Sequence, residues 1–507
     1  MRNSLLVYNL ESSPLRQMDL PQANYIRGYL AGLPSVTVVE EPSYFDKDYL
    51  SEFASFYSTS ARSYPNICRR WHFFSGASIS RDTLRRFAAG QKKTLRRLQE
   101  CYVGFSVIRP IPSAPFGKTV LKWYPDQDLD TPRVTNPSRP YHVHLLGQEL
   151  TVTGLAWQQQ DVAVAACATV GLWTMFQSSA FDENHAIPTT AEITKKANLG
   201  FSAGRRIFPS RSLTWEQISE AIKACDLSPL VIDGDIETNH SGRGFSKKLF
   251  ATTCAAFIRS GYPVLMLGHI LGGGGHATVA VGFRSRLSDK VALPNVVPQD
   301  SSINVIYVNE DNVGPYVRTE IGFVDEVDQR EDQRVCLRDR PPAYAQNAAA
   351  IGYEFVPRQL ICGVHNDLRM GHDQLLGYAE WLAGVFSQVL EVASSARGVQ
   401  YDGPLFSARF VRLADYLGQG LKELLSDVPA VLSKVRLGLV EHVRPMPLYI
   451  GLIRIGLSDS HSSVLADILL DTTDTDHSPT TALALVSYLP LVSASFRQWA
   501  IPIVDAF

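Results

Sequence analysis

The chain lacks any strong charge imbalance: 48 lysines and arginines face 50 aspartates and glutamates, for a net charge of -2. Such a balance carries no electrostatic footprint for nucleic acid or an anionic membrane surface, so neither is expected as a partner. Long hydrophobic runs are missing as well. The N-terminal MRNSLLVYNLESSPLRQ is too poor in apolar residues for a signal peptide, and ALALVSYLPLVSA is broken by Pro490, so no membrane span is expected. Cysteine is sparse, with seven residues at 68, 101, 167, 225, 254, 336 and 362 and no CxxC pair, which excludes a disulfide scaffold and suits reduced thiols in the cytoplasm. Metal and nucleotide signatures are also wanting. His142 and His144 have no further ligand at zinc spacing, Asp471, Asp474 and Asp476 lack the glycine and closing glutamate of a calcium loop, and no GxxxxGK[ST] pattern occurs. No cofactor and no metal are therefore expected.

What is present is enough chain, 507 residues, for two or three domains. Residues 1–140 alternate strand and helix patterns: SVTVVEE, then YFDKDYLSEFASFY, then one basic helix over 79–100 with a solvated face, then the strand CYVGFSVIRPIP. Seven prolines between 110 and 140 rule out a continuous helix or central strand and mark a boundary or a crossing arm.

Residues 141–345 place helices first and strands second. An apolar helix is predicted over 161–179 with Asp161 as N-cap, followed by helix starts at Thr190 and at the capping box Thr214/Gln217, and by KKLFATTCAAFIRSG, stopped by Gly261. Strands YPVLMLG, HATVAVGF and INVIYVN come next, and the charged VDEVDQREDQRVCLRDRPP closes the region. Residues 346–507 mix strand-like YEFVPRQLICGV and PLYIGLIRIGL with long helices, among them DYLGQGLKELLSDVPAVLSKV, and have no assignable role. The class is α+β.

Cys167 falls in the first turns of its predicted helix, where unpaired N–H groups and the positive end of the helix dipole favour thiolate. His276 opens a strand immediately after Gly272-Gly273-Gly274-Gly275, a run that lets backbone and substrate come close. Asp311 follows the next strand, where a carboxylate can reach the far ring nitrogen, and Asn309, Glu310 and Asn312 compete for that role. Cys254, a rival thiol, reads as core, and His269, a rival base, precedes the glycine run. GGGGHA also satisfies a GxGxxA dinucleotide pattern, but HATVAVGF has the period of a strand where that fold needs a helix.

Glutamines before a cysteine helix, a Gly-His pair opening a strand and an acid or amide after the next strand resemble the papain-like cysteine peptidase superfamily, nearest the bacterial branch that includes double-glycine leader peptidases. The resemblance covers about 150–345. It implies a two-lobed core, a helical lobe with Cys167 and an antiparallel β lobe with His276, flanked by further α/β regions. It also implies Cys167 as nucleophile, His276 as general acid and base, Asp311 as the orienting group, and a glutamine amide with the Cys167 N–H as oxyanion hole. The family's glutamine lies six residues before the cysteine, a position held here by Asp161, which cannot donate to an oxyanion. Gln160, seven residues before, takes that role in this reading, with Gln159 as the alternative.

The function expected from these features is hydrolysis of a peptide or isopeptide bond in a protein or peptide substrate, with small residues near the scissile bond. Transfer of the acyl group to an amine uses the same residues. A catalytically silent scaffold that binds a partner protein through the flanking regions is the competing reading, and Asp161 is its support.

Overall fold

The computed structural model describes residues 5–507 apart from 77, 126–132, 162, 179–186, 201–206, 211, 239–241, 286–292, 325–333, 340–351, 399–400, 443–445, 458–463, 475–481 and 500. Helix (34%) and strand (35%) are balanced and largely segregated, which makes the class α+β. The chain begins as an antiparallel sheet of five strands in sequence order, Leu6–Asn9, Thr37–Tyr44, Cys68–Phe74, Tyr102–Ile108 and Phe116–Leu121. Between them lie the helices Pro21–Ala31 and Lys47–Ser55. The basic segment forms two helices, Arg81–Ala88 and Lys92–Cys101, instead of the single one expected over 79–100. Gly90 sits between them with φ 71°, a left-handed residue that a continuous helix would exclude. Leu84, Phe87 and Leu98 are buried while the arginines face water.

The proline-rich arm crosses to a second sheet, where Val134 exchanges backbone hydrogen bonds of 2.9 and 3.1 Å with Phe283. The hairpin Arg139–Leu145 and Gln148–Gly154 follows, with His142 and His144 exposed on one face and both directed at Glu149. The cysteine helix runs Cys167–Phe176, shorter than the predicted 161–179. Asp161 is not its N-cap. That carboxylate accepts from Tyr57 and from the Ala163 N–H, and the Asp161 backbone pairs with that of Ala165, so Asp161 is engaged ahead of the helix, which starts at the cysteine.

Six strands then close on themselves: Val264–Ile270, Gly275–Ser285, Ile303–Glu310, Gly314–Phe323, Val335–Asp339 and Glu354–His365 are each antiparallel to the next, and the last pairs back onto the first. Closure leaves no free edge except where Leu227–Asp233 adds to the final strand. The boundary expected at 345 and most of the charged segment before it lie outside the described residues; the strand that completes the barrel comes after them. The C-terminal sheet takes Leu405–Arg412, Tyr449–Gly456, Val464–Asp471, Ala482–Ser487 and Ile503–Asp505, plus Val297–Pro298 from the region before it. DYLGQGLKELLSDVPAVLSKV is interrupted by a π turn at Tyr416–Gly420 and restarts at Pro429, which cannot continue a helix but can begin one.

Two apolar cores bracket the barrel. On one side Trp71, Phe116, Trp157 and Trp173 pack together with Leu265 and Val279, so the N-terminal sheet, the cysteine helix and the barrel share one interior. On the other side Cys254, Phe257, Met266, Ala280 and Phe355 join residues of the C-terminal region such as Leu375, Phe386 and Ile453. Each such side chain contributes about 1.5–3 kcal/mol on burial, so this sharing ties the three regions together. Among the described residues no helix is long and apolar enough to cross a membrane.

Candidate active site

Cys167 is the first residue of its helix, and the N-cap Ala166 has no side chain to occupy the first-turn N–H groups. Those donors face the sulfur, and the Ala168 N–H among them favours the thiolate. Gly171, one turn further on, explains how the helix comes so near the barrel. A Cβ there would stand 2.5 Å from Leu265 Cδ1 and 3.4 Å from Val279 Cγ2, so only hydrogen fits against these two strands without displacing them. The Cys167 thiol meets His276 and the backbone N–H of Ala277 on the second of those strands.

His276 is buried, and its Nε2 lies 2.8 Å from Glu310 Oε1 and 3.7 Å from Asp311 Oδ1. Strand register decides which acid makes the contact. Ala280 is opposite Val308, so alternation carries His276 and Glu310 toward the same end of the same face and turns Asn309 to the other face. There Asn309 Oδ1 accepts from the Tyr316 N–H at 3.0 Å. Sequence favoured Asp311 as the orienting group; the hydrogen-bonded carboxylate is Glu310, because Asp311 falls one residue past the strand end. With Nε2 engaged by Glu310, Nδ1 is the ring nitrogen left for the thiol.

The electrostatics follow from this chain of contacts. Burial pushes the Cys167 thiol up, but the hydrogen bond and charge of His276 and the N–H groups of Ala277 and Ala168 more than reverse it, leaving the thiol below its ordinary value. Burial pulls His276 down, whereas the Glu310 charge, the Cys167 and Glu310 hydrogen bonds and the Asp311 charge raise it to about 11. Glu310, despite burial, is held low by His276. Asp311 is driven well above the usual carboxylate range by burial and then by the Glu310 charge. Two adjacent buried carboxyls cannot both ionise cheaply, so Asp311, neither of whose carboxyl oxygens has a hydrogen-bond partner among the described residues, holds a proton more tightly than Glu310 does.

Aromatic rings close the far side: Phe355 and Tyr353 stand edge-on to His276 at 6.1 and 6.2 Å, and the Tyr353 hydroxyl faces Glu310. Gly268 permits this, since a Cβ there would lie 2.8 Å from the Phe355 ring and 2.1 Å from the Val356 carbonyl oxygen. Tyr353 and Phe355 escaped the sequence reading because their strand lies beyond the boundary expected at 345, and only its pairing brings them back.

The three glutamines part company. Gln158 Nε2 donates to Glu52 at 2.8 Å, and Gln159 donates to the Ser113 carbonyl while accepting from the Phe116 N–H, so both face the N-terminal sheet. Gln160 Nε2 instead donates to Asn312 Oδ1 at 2.5 Å, on the loop that carries Glu310 and Asp311. The Asn312 N–H in turn reaches Glu310 Oε1 at 3.4 Å. Gln160 is thus the member of the set beside the loop that follows Glu310.

The N-terminal region holds both halves in place. Glu52 and Arg109, each 1% exposed, pair at 3.0 Å; Glu52 also accepts from Gln158 and Thr190, and Arg109 donates to the Gln159 carbonyl. Gln22 donates to the Asp311 carbonyl at 3.3 Å, and Gly314 packs under the Tyr25 ring. None of these residues carries a sequence motif.

His269 and Cys254 stand apart from this cluster. His269 pairs with Gly275, so its side chain takes the strand face opposite to that of His276. Cys254 is wholly buried in the second core. Donor type alone would let His276, Glu310 and Asp311, whose ligand atoms lie within 4.8 Å of one another, hold a divalent cation. The 2.8 Å between Nε2 and Oε1 is a charge-assisted hydrogen-bond length, whereas two tetrahedral zinc ligands sit roughly 3.3 Å apart at the usual bond lengths. A proton fits that gap.

Compared with protein-family models and with curated proteins, the chain matches none.

Proposed function

We propose that the protein is a thiol hydrolase of papain-like type that cleaves a peptide or isopeptide bond through a thioester on Cys167. The observation that carries the reading is Cys167 at a helix start, interacting with His276, which is itself bonded to the buried Glu310 at 2.8 Å. Such a thiolate attacks a carbonyl, the Cys167 N–H and the Gln160 amide, which donates to Asn312 in the resting site, are the donors proposed for the oxyanion, and His276 hands its proton to the leaving amine. Water activated by the same imidazole then releases the acid and regenerates the thiol. A helix against one face of a closed barrel, with cysteine and histidine on separate units, supports the papain-like comparison.

The experiment is acyl trapping. Incubated with p-nitrophenyl acetate at about pH 6, the protein is expected to gain one acetyl group on Cys167, removable by hydroxylamine, and Gln160→Ala should slow that step by about 10²–10³-fold. Acetylation of scattered lysines with Cys167 untouched would defeat the proposal and leave the silent scaffold. Asp161 no longer supports that second reading, because it is engaged with Tyr57 and Ala163 ahead of the helix.

A further inference from the structure

A cavity of about 310 Å³ lies where the end of the helix Lys247–Arg259, the strand Leu405–Arg412 and the helical segments after it meet. None of the residues around Cys167 lines it. Arg259, Arg409 and Arg412 line it together with two acids, Asp415 and Glu423.

The arginines differ in what balances them. Arg259 is paired with Asp300 through two nitrogens at 2.8 and 3.2 Å. Arg454, diagonal to Arg409 on the neighbouring strand, grips the buried Asp467 at 2.7 and 2.9 Å, and Tyr416 and Tyr488 take up the rest of that carboxylate. Arg409 has neither an ion pair nor a guanidinium hydrogen bond among the described residues. It is a cation close to two others, with Asp467 already committed to Arg454 and Glu423 acting on it only through its charge. Burial and then the charges of Arg454 and Arg259 pull it down to about 10, a large displacement for a guanidinium.

A half-buried charge without an ion pair is costly to fold, and a planar guanidinium has the donor geometry for a carboxylate or a phosphate. We infer that this cavity is a binding site for a small organic oxyanion, whose carboxylate or phosphate pairs with Arg409. The volume is at the lower end of the range for small-molecule sites, larger than an inorganic ion needs. The two acids favour a ligand that also carries hydroxyl or ammonium groups.

Thermal unfolding of the full chain tests this, with inorganic phosphate, acetate, glycerol 3-phosphate and glutamate as probes against sodium chloride at equal ionic strength. At least one oxyanion is expected to raise the Tm by about 1–3 °C at about tenfold above its Kd. A response confined to the phosphates or to the carboxylates assigns the headgroup. Arg409→Met should unfold no earlier than the parent without ligand, since it removes an unbalanced charge, and should lose the oxyanion response. An early-unfolding Arg409→Met would show that the guanidinium has a structural partner and overturn the inference. No response in the parent, or a response that survives Arg409→Met, would overturn it equally.

Discussion

Replacing Glu310 by glutamine while leaving Asp311 intact separates two neighbouring acids whose proton affinities the site drives apart. Glu310 bonds His276 at 2.8 Å and is held low by it, whereas Asp311, at 3.7 Å, is pushed up by burial and by the Glu310 charge. A carboxylate favours the charged ring, so its removal must lower the histidine pKa. A hydrogen bond between charged groups contributes about 1.5–3 kcal/mol, and one pKa unit corresponds to about 1.4 kcal/mol, so Glu310→Gln should bring His276 down by about 1–2 units from its starting value near 11. Asp311→Asn removes the weaker and more distant influence and should lower the titration by less than Glu310→Gln does. Carbon-13 histidine labelling, with the resonance assigned by His276→Ala, reads both values directly. A fall caused by Asp311→Asn and not by Glu310→Gln would refute the assignment of charge and restore Asp311 as the orienting group.

Three further outcomes follow from the same geometry. Glu52→Ala strands the Arg109 guanidinium in a site 1% exposed and should cost about 3–5 kcal/mol in urea unfolding, along with the anchorage of the glutamine segment. Gly171→Val puts branched carbon against Leu265 and Val279; it should cost about 1–3 kcal/mol and raise the thiol pKa as helix and barrel separate, whereas an unchanged pKa would mean their approach does not set the thiol. Prolonged dialysis against EDTA should leave Cys167 alkylation at about pH 6 unchanged, and a loss restored by zinc would move His276, Glu310 and Asp311 to a metal site.

Local patterns were legible where a single segment decided them. A helix starts at Thr190, the capping box Thr214/Gln217 opens another, Gly261 with φ 83° follows the end of a third, and HATVAVGF is a strand. Cys167 at a helix start and His276 at a strand start were visible for the same reason. Choosing Glu310 over Asp311 needed the pairing of Ala280 with Val308, a register between strands that no single segment encodes. Separating Gln160 from Gln159 needed the N-terminal sheet, whose Ser113 and Phe116 claim the latter. Asp161 misled as an N-cap because an acid before an apolar run reads as a cap, and only the tertiary contact with Tyr57 and the bond to Ala163 show it to be otherwise employed. Barrel closure by Glu354–His365 was likewise out of reach, since it joins a strand to partners on the far side of a charged segment.

The central claim is that His276 holds Cys167 as a thiolate, and alkylation of the seven cysteines mapped by mass spectrometry across pH tests it most directly. Brief iodoacetamide treatment at about pH 5.5–6 is expected to label Cys167 ahead of the other six, because an ordinary thiol titrates near about 8.5 and the buried Cys254 and Cys362 are pushed higher still. His276→Ala should shift the onset to the ordinary thiol range. Labelling of Cys167 only above about pH 8, unaffected by His276→Ala, would contradict the claim.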